Sequence, residues 1–96
     1  MPNPARTELA EALHCVADIA EMERFLTDLC TPAELRALSE RWHVAKLLDV
    51  GEASYRKINK MTGVSTTTIS RVSRFLKEEP HQGYRAVLDR QNGQEL

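Results

Sequence analysis

Residues 54–77 read SYRKINKMTGVSTTTISRVSRFLK, and this stretch has the most informative pattern in the chain. Ser54 and Ser65 each precede a run of helical periodicity, at a position where a serine side chain can cap a helix N-terminus. Gly63 separates the two runs, and glycine readily adopts the positive φ that a tight turn requires. The stretch therefore predicts two short helices joined by a turn, the second ending at about Lys77, which is the helix-turn-helix arrangement.

The apolar residues of this stretch have the spacing of two helices that share one core. The second helix carries apolar residues three and four positions apart, which form a packed face: Ile69, Val72 and Leu76. We expect Ile58 and Met61 on the inner side of the first helix, and Val64 beneath the turn. The opposite side of the second helix carries polar and basic residues: Thr67, Ser70, Arg71 and Arg74.

Three consecutive threonines begin the second helix, although threonine is a poor helix former because its branched Cβ loses rotamer freedom. A recognition helix enters the major groove of DNA with its first turn leading. There a threonine hydroxyl can contact a base or a phosphate, and its methyl group can pack on thymine. Thr66, Thr67 and Thr68 are therefore the candidate base readers. The alternative role is helix capping shared with Ser65, which we expect for at least one of them.

The net charge of −1 conceals a concentrated basic block. Residues 1–54 contain ten acidic and five basic side chains, and residues 78–96 contain four acidic and two basic ones. Residues 55–77 contain six basic side chains and no acidic one. Such a block predicts a polyanionic partner, although a solvated charged face is the plain alternative. The candidate phosphate contacts are Arg56, Lys57, Lys60, Arg71 and Arg74.

The rest of the chain also has helical periodicity, so the predicted fold class is all-α. Asp18 with Glu21 has the spacing of a capping box, which predicts a second helix there. One continuous helix over residues 5–29 is the alternative. Thr31 with Glu34 predicts the start of a third helix. The predicted inward-facing residues of these three helices are Leu9, Ala12, Leu13, Val16, Ile19, Met22, Leu26, Leu29, Leu35, Leu38, Trp42, Ala45 and Leu48.

The predicted third helix ends at Gly51, where a glycine suits a helix C-terminus. Pro80 marks the last break, before a helix that contains Tyr84, Val87 and Leu88. We expect residues 91–96 to be frayed.

Several classes of function find no support in the sequence. No apolar run approaches the ~18 residues that a membrane span needs, and the first residues lack a signal-peptide pattern. Cys15 and Cys30 form no CxxC motif, so we predict two reduced cysteines in a helical core, no metal site and a cytoplasmic protein. The histidines are scattered, and no phosphate loop or nucleophile motif occurs, so we predict no catalytic residue and no cofactor.

The stretches LCTPAELRALSERW (29–42) and GEASYRKINKMTGVSTTTISR (51–71) resemble the tryptophan repressor (TrpR) superfamily, and most of all its YerC/YecD-type branch. The resemblance extends from about residue 29 to residue 89. It implies a six-helix, intertwined homodimer in which helices from both protomers build one core. Residues 1–96 would then form one domain.

The resemblance also assigns parts of the chain to roles. Dimerisation helices would occupy residues 1–50, the helix-turn-helix residues 54–77 and a C-terminal helix residues 80–91. The implied function is that of a dimeric transcriptional regulator, a repressor by analogy, which binds specific sequences in double-stranded DNA. The positions that match DNA contacts in the family are Arg56, Asn59, Thr66, Thr67 and Thr68. The alternative is a helical protein-interaction module whose basic face binds an acidic partner rather than DNA.

The amino-acid pocket of the family matches only in part. The residues that match the tryptophan site of its founding member are Thr31, Arg41 and Arg71. Val72 stands where a glycine leaves room for the indole, and Phe75 stands where a serine helps to hold the amino group of the ligand. Because both side chains would fill the pocket, we expect no control by tryptophan, and the effector, if any, stays open. Arg41 and Arg71 would then contact phosphates or pair with acids such as Glu40 or Glu79.

Overall fold

The computed structural model of the protein describes residues 3–93. Over this range the chain forms six helices and no strand, which confirms the predicted all-α class. The helices are α1 Pro4–His14, α2 Ile19–Leu29, α3 Pro32–Val50, α4 Tyr55–Thr62, α5 Thr66–Lys77 and α6 Gly83–Gln91. No helix in this range is long and apolar enough to cross a membrane. The end of the tail that we predict to be frayed, residues 94–96, lies outside the described residues.

A side-chain cap separates the first two helices. The Asp18 carboxylate accepts a hydrogen bond from the N–H of Glu21 at 2.8 Å. The Glu21 carboxylate accepts one from the N–H of Ala17 at 2.9 Å. These hydrogen bonds satisfy N–H groups that a helix start leaves unpaired, so a new helix begins at this point. The alternative of one continuous helix over residues 5–29 is therefore wrong.

The start of α3 has the predicted capping box. The N–H of Thr31 donates to the Glu34 carboxylate at 2.8 Å, and the Thr31 hydroxyl accepts from the N–H of Glu34 at 3.1 Å. Hydrogen bonds from the backbone and then the side chain of Thr31 hold the pKa of Glu34 below its ordinary value, because they favour the charged carboxylate.

The chain divides into two compact units, with the boundary between Leu35 and Arg36. In the first unit, α1 and α2 bury no residue. Their predicted inward-facing residues remain partly or largely accessible, and Ile19 is 79% exposed. The apolar faces of these two helices are therefore formed as predicted but are not covered within the single chain.

The hydrophobic core lies in the second unit, where three helices and the turn pack around α5. Its buried apolar residues are Val44, Ala45 and Leu48 of α3, Ile58 of α4, Val64 of the turn, Ile69, Val72 and Leu76 of α5, and Leu88 of α6. Trp42 is half-buried against this core and stacks on Tyr84, with the ring centroids 6.4 Å apart. The core thus fixes α5 against α3, α4 and α6.

Three details of the second unit differ from the prediction. Met61 is 58% exposed and borders an open groove together with Leu47 and Val50. Leu38 is 42% exposed, since the core residues of α3 lie in its C-terminal half. Helix α6 begins at Gly83, later than predicted, because the preceding Gln82 has a left-handed backbone with φ 56°.

An ion pair links α6 to α3. The Arg85 guanidinium donates from Nη2 to Asp49 at 2.8 Å and from Nε to Asp89 at 2.9 Å. These contacts raise the pKa of Arg85, chiefly through the hydrogen bond to Asp49. Arg85 is therefore engaged in holding the helices together.

Candidate nucleic-acid interface

The turn between α4 and α5 is fixed by side chains of the motif itself. Gly63 has φ 76°, in the left-handed region that favours glycine. The Asn59 side-chain amide donates to the carbonyl of Val64 at 2.7 Å. The Thr62 hydroxyl donates to the carbonyl of Ile58 at 2.7 Å and accepts from the N–H of Val64 at 3.1 Å. Because these bonds satisfy the polar backbone of the turn, they hold α4 and α5 in a defined arrangement.

A second polar link joins the two helices at the other end of α4. The Tyr55 hydroxyl donates to Oγ of Ser73 at 2.5 Å. Ser73 is 5% exposed, and a hydroxyl buried to that extent needs a hydrogen-bond partner. We did not predict this pair from the sequence. The available signal was a serine next to Val72 on the packed face of α5.

The threonines at the start of α5 have different environments. Oγ of Ser65 accepts from the N–H of Thr68 at 3.2 Å and donates to Oγ1 of Thr68 at 3.1 Å. Ser65 is therefore the capping residue, and Thr68, which is half-buried, is the threonine bonded to it. Thr66 and Thr67 are exposed, so their hydroxyl and methyl groups are accessible at the helix N-terminus.

The basic side chains of residues 55–77 are exposed on both helices. They are Arg56, Lys57 and Lys60 of α4, and Arg71, Arg74 and Lys77 of α5. Arg71 and Arg74 line an open groove of about 480 Å³, together with Thr67, Ser70 and the acidic Glu78 at the end of α5. Nε of Arg74 also lies 3.9 Å from Oε2 of Glu79, an exposed ion pair of the weak kind. Basic groups and hydroxyls thus share the surface of α5.

Asn59 has a different setting from the other predicted contact residues. It is half-buried, and its side-chain nitrogen is hydrogen-bonded within the turn. A role in shaping the turn is therefore evident from the geometry, and its role as a DNA contact stays a prediction.

The residues that match the tryptophan pocket are engaged in other ways. The Thr31 hydroxyl caps α3, and Arg41 is half-buried on α3. The guanidinium carbon of Arg71 lies 4.4 Å from the centroid of the Phe75 ring. Val72 is 1% exposed within the core, as expected of a side chain that fills space. We expected the Phe75 ring to fill the pocket as well, but it is only half-buried.

The two cysteines have different environments. Cys15 and Cys30 are free. The prediction that both lie in a helical core is wrong for Cys15, which is exposed because it caps the C-terminus of α1. Within residues 3–93 no group of three or more His, Cys, Asp or Glu side chains could hold a metal ion.

The fold and the exposed basic surface together define a helix-turn-helix protein. The family described as Trp repressor protein matches residues 6–92, and the chain belongs to this family. The resemblance found in the sequence is therefore confirmed. The family is one of regulators rather than enzymes.

Individual relatives agree with this assignment. The chain is 41% identical over 83 residues to YerC of Bacillus subtilis (strain 168), a protein named as uncharacterized, covering 86% of this chain and 78% of YerC. It is 36% identical over 72 residues to a Trp operon repressor homolog of Vibrio parahaemolyticus, covering 75% and 70%. The crystal structure of a TrpR-like protein from Eubacterium eligens superposes with a TM-score of 0.84 and 37% identity, covering 98% of this chain and 95% of that one.

Proposed function

We propose that this protein is a transcriptional regulator, most simply a repressor, that binds specific sequences in double-stranded DNA as a homodimer. The observation that carries the proposal is the surface of α4 and α5. Six exposed basic side chains and two exposed threonines lie on a helix-turn-helix stretch that contains no acidic residue. A cytoplasmic location goes with this function.

The start of α5 would contact bases, and the basic side chains of both helices would contact phosphates. Thr66 and Thr67 begin α5, and the first turn of a recognition helix is the part that approaches base edges. The Thr68 hydroxyl oxygen accepts from Ser65, so Thr68 would contribute its methyl group or donate its O–H to a phosphate. The exposed basic side chains of both helices would neutralise phosphates, which sets the register on the duplex without reading its sequence. The groove on α5 adds Ser70 as a further phosphate donor.

The dimer follows from the apolar faces that the single chain leaves uncovered. Helices α1 and α2 bury no residue, and Leu29 is 47% exposed in addition to Ile19. Exposed apolar area of this kind is characteristic of a protein interface, and a second copy of the chain would supply the missing core. A two-fold dimer would place its recognition helices on half-sites about 34–36 Å apart, so the operator would be approximately palindromic.

Tryptophan is not part of the proposed regulation. Val72 is fully enclosed in the core, so α5 is packed without a ligand at this position. The effector of the protein, if it has one, would be a different molecule.

The experiment measures the binding of a duplex selected from a random library by fluorescence anisotropy over a range of salt concentrations. Replacing Arg56, Lys60 and Arg71 with alanine should weaken binding to all duplexes and flatten the salt slope by about one unit for each phosphate that is no longer neutralised. The matched control replaces three exposed basic residues outside the motif and outside α1 and α2: Arg36, Lys46 and Arg90. Equal effects of the two triple variants, or no duplex binding by the wild type, would contradict the proposal and favour an interaction module for an acidic protein.

The dimer is tested separately. Light scattering at micromolar concentration should give about twice the chain mass of 10.9 kDa, because a chain of this size with uncovered apolar faces gains its stability from association. A folded monomer under these conditions would contradict the dimer.

A further inference from the structure

One aromatic ring lies against two of the basic side chains of the recognition helix. The guanidinium carbon of Arg71 is 4.4 Å from the centroid of the Phe75 ring, and that of Arg74 is 5.1 Å away. Both distances are within the ~6 Å over which a cation is attracted to the face of an aromatic ring. Of the six basic side chains in residues 55–77, these are the two that lie over an aromatic ring.

The Phe75 ring is itself held in place. It is half-buried and lines an apolar cavity of about 580 Å³ together with Trp42 and Tyr84. The His81 ring stacks on it, with centroids 6.0 Å apart and planes inclined by 14°. Half-burial and the stacking of His81 therefore restrict the ring, and a restricted ring can in turn restrict the arginine side chains that lie on it.

We propose that Phe75 is a positioning residue for DNA binding, which holds the guanidinium groups of Arg71 and Arg74 ready for phosphate contact before DNA arrives. This inference rests on the proposed function. Long side chains such as arginine lose rotamer freedom when an interface orders them. If the ring already restricts them in the free protein, less freedom remains to be lost on binding.

A ring suits this purpose better than an acidic partner does. Stacking uses the face of the planar guanidinium and leaves its N–H groups free to donate to phosphate oxygens. An ion pair uses those same N–H groups, as the contact of Arg74 with Glu79 does in part. Arg71 is therefore the arginine whose phosphate contact depends most on Phe75.

The first test replaces Phe75 with leucine and measures affinity for the selected duplex across salt concentrations. A cation–π contact at an exposed site changes an equilibrium constant by about 2- to 5-fold, which is the most that one contact can add to affinity by positioning a side chain. A dimer has four such contacts, so binding should weaken about tenfold. The salt slope should stay unchanged because the phosphate contacts remain. Arg71→Ala should instead flatten the slope. Phe75→Tyr keeps the ring and should bind as the wild type does.

Double-mutant cycles separate positioning from a general effect on the fold. The effects of Phe75→Leu and Arg71→Ala should not add, because each removes the same contact. Arg56 lies on the other helix, so Phe75→Leu and Arg56→Ala should add. If Phe75→Leu unfolds the protein, Arg71→Lys provides the same test, since lysine keeps the charge but loses the planar stacking group; it should weaken binding at an unchanged slope.

A measurement without DNA separates this inference from the proposed function. In the NMR spectrum of the free protein, the Cδ protons of Arg71 should show a ring-current shift that Phe75→Tyr retains and Phe75→Leu removes. Absence of that shift, wild-type affinity of Phe75→Leu, or additive effects with Arg71→Ala would overturn the inference. A wild type that shows the shift but does not bind duplex DNA would overturn the proposed function, and the role of Phe75 in DNA binding with it.

Discussion

Replacing Tyr55 with phenylalanine should loosen the helix-turn-helix by removing a single hydroxyl. Oγ of Ser73 is bonded to that hydroxyl at 2.5 Å, and the residue Ser73 is 5% exposed. In the variant the Ser73 hydroxyl would therefore be left buried without this partner. An unsatisfied buried polar group costs about 1–3 kcal/mol. Ser73→Ala should cost less, about 1 kcal/mol, because Tyr55 is 39% exposed and its hydroxyl can then bond to water.

Urea unfolding followed by circular dichroism measures these free energies of unfolding, at one fixed protein concentration because association contributes to stability. The midpoint should fall in Tyr55→Phe with the slope unchanged. The double variant Tyr55→Phe/Ser73→Ala should be about as stable as Ser73→Ala alone, since no buried hydroxyl then lacks a partner. Wild-type stability of Tyr55→Phe, or additive effects of the two changes, would refute this reasoning.

Three further predictions concern the turn, a helix cap and the ligand. Gly63→Ala should lower the free energy of unfolding by about 1–2 kcal/mol, because alanine is strained at positive φ, and Gly63→Asn should be milder; equal stabilities would contradict this. The pKa of Glu34 is lowered in the folded protein, so the ionised carboxylate stabilises the fold. This stabilisation is complete above the ordinary pKa of 4.5 and is lost as the pH falls through the lower pKa of the folded protein. In Glu34→Gln the free energy of unfolding should therefore depend less on pH in this acidic range. Urea titrations that give the same pH dependence as the wild type would refute this prediction. Millimolar L-tryptophan should give no heat of binding by calorimetry and no change in DNA affinity, whereas a tenfold gain would show that the pocket is functional.

The features that sequence patterns predicted best are local ones. The caps at Asp18, Thr31 and Ser65 depend on hydrogen bonds between residues three apart, so the pattern alone identifies them. The periodicity of α5 likewise identified Ile69 and Val72 as core residues, because apolar spacing on a helix defines a face.

The features that sequence patterns missed depend on contacts between distant residues or on side-chain orientation. The Tyr55–Ser73 bond joins residues 18 positions apart, and no local pattern encodes it. Met61 has helical spacing from Ile58 but is 58% exposed, and it borders an open groove with Leu47 and Val50 instead of joining the core. Phe75 was expected to fill a pocket, whereas its ring lies half-buried under Arg71. Periodicity also predicted the apolar faces of α1 and α2 but could not identify what covers them.

DNA binding by α4 and α5 is tested most directly by an NMR titration of the protein with the selected duplex, which maps the DNA-binding surface residue by residue. We expect the largest changes in the methyl and amide signals of Thr66 and Thr67, with smaller changes along the basic faces of α4 and α5 and little change in α1. A scrambled duplex of equal length should affect the basic side chains while leaving the threonine methyl groups less perturbed, because phosphate contacts do not depend on sequence. Changes confined to residues outside α4 and α5, or no change with either duplex, would contradict DNA binding by the helix-turn-helix.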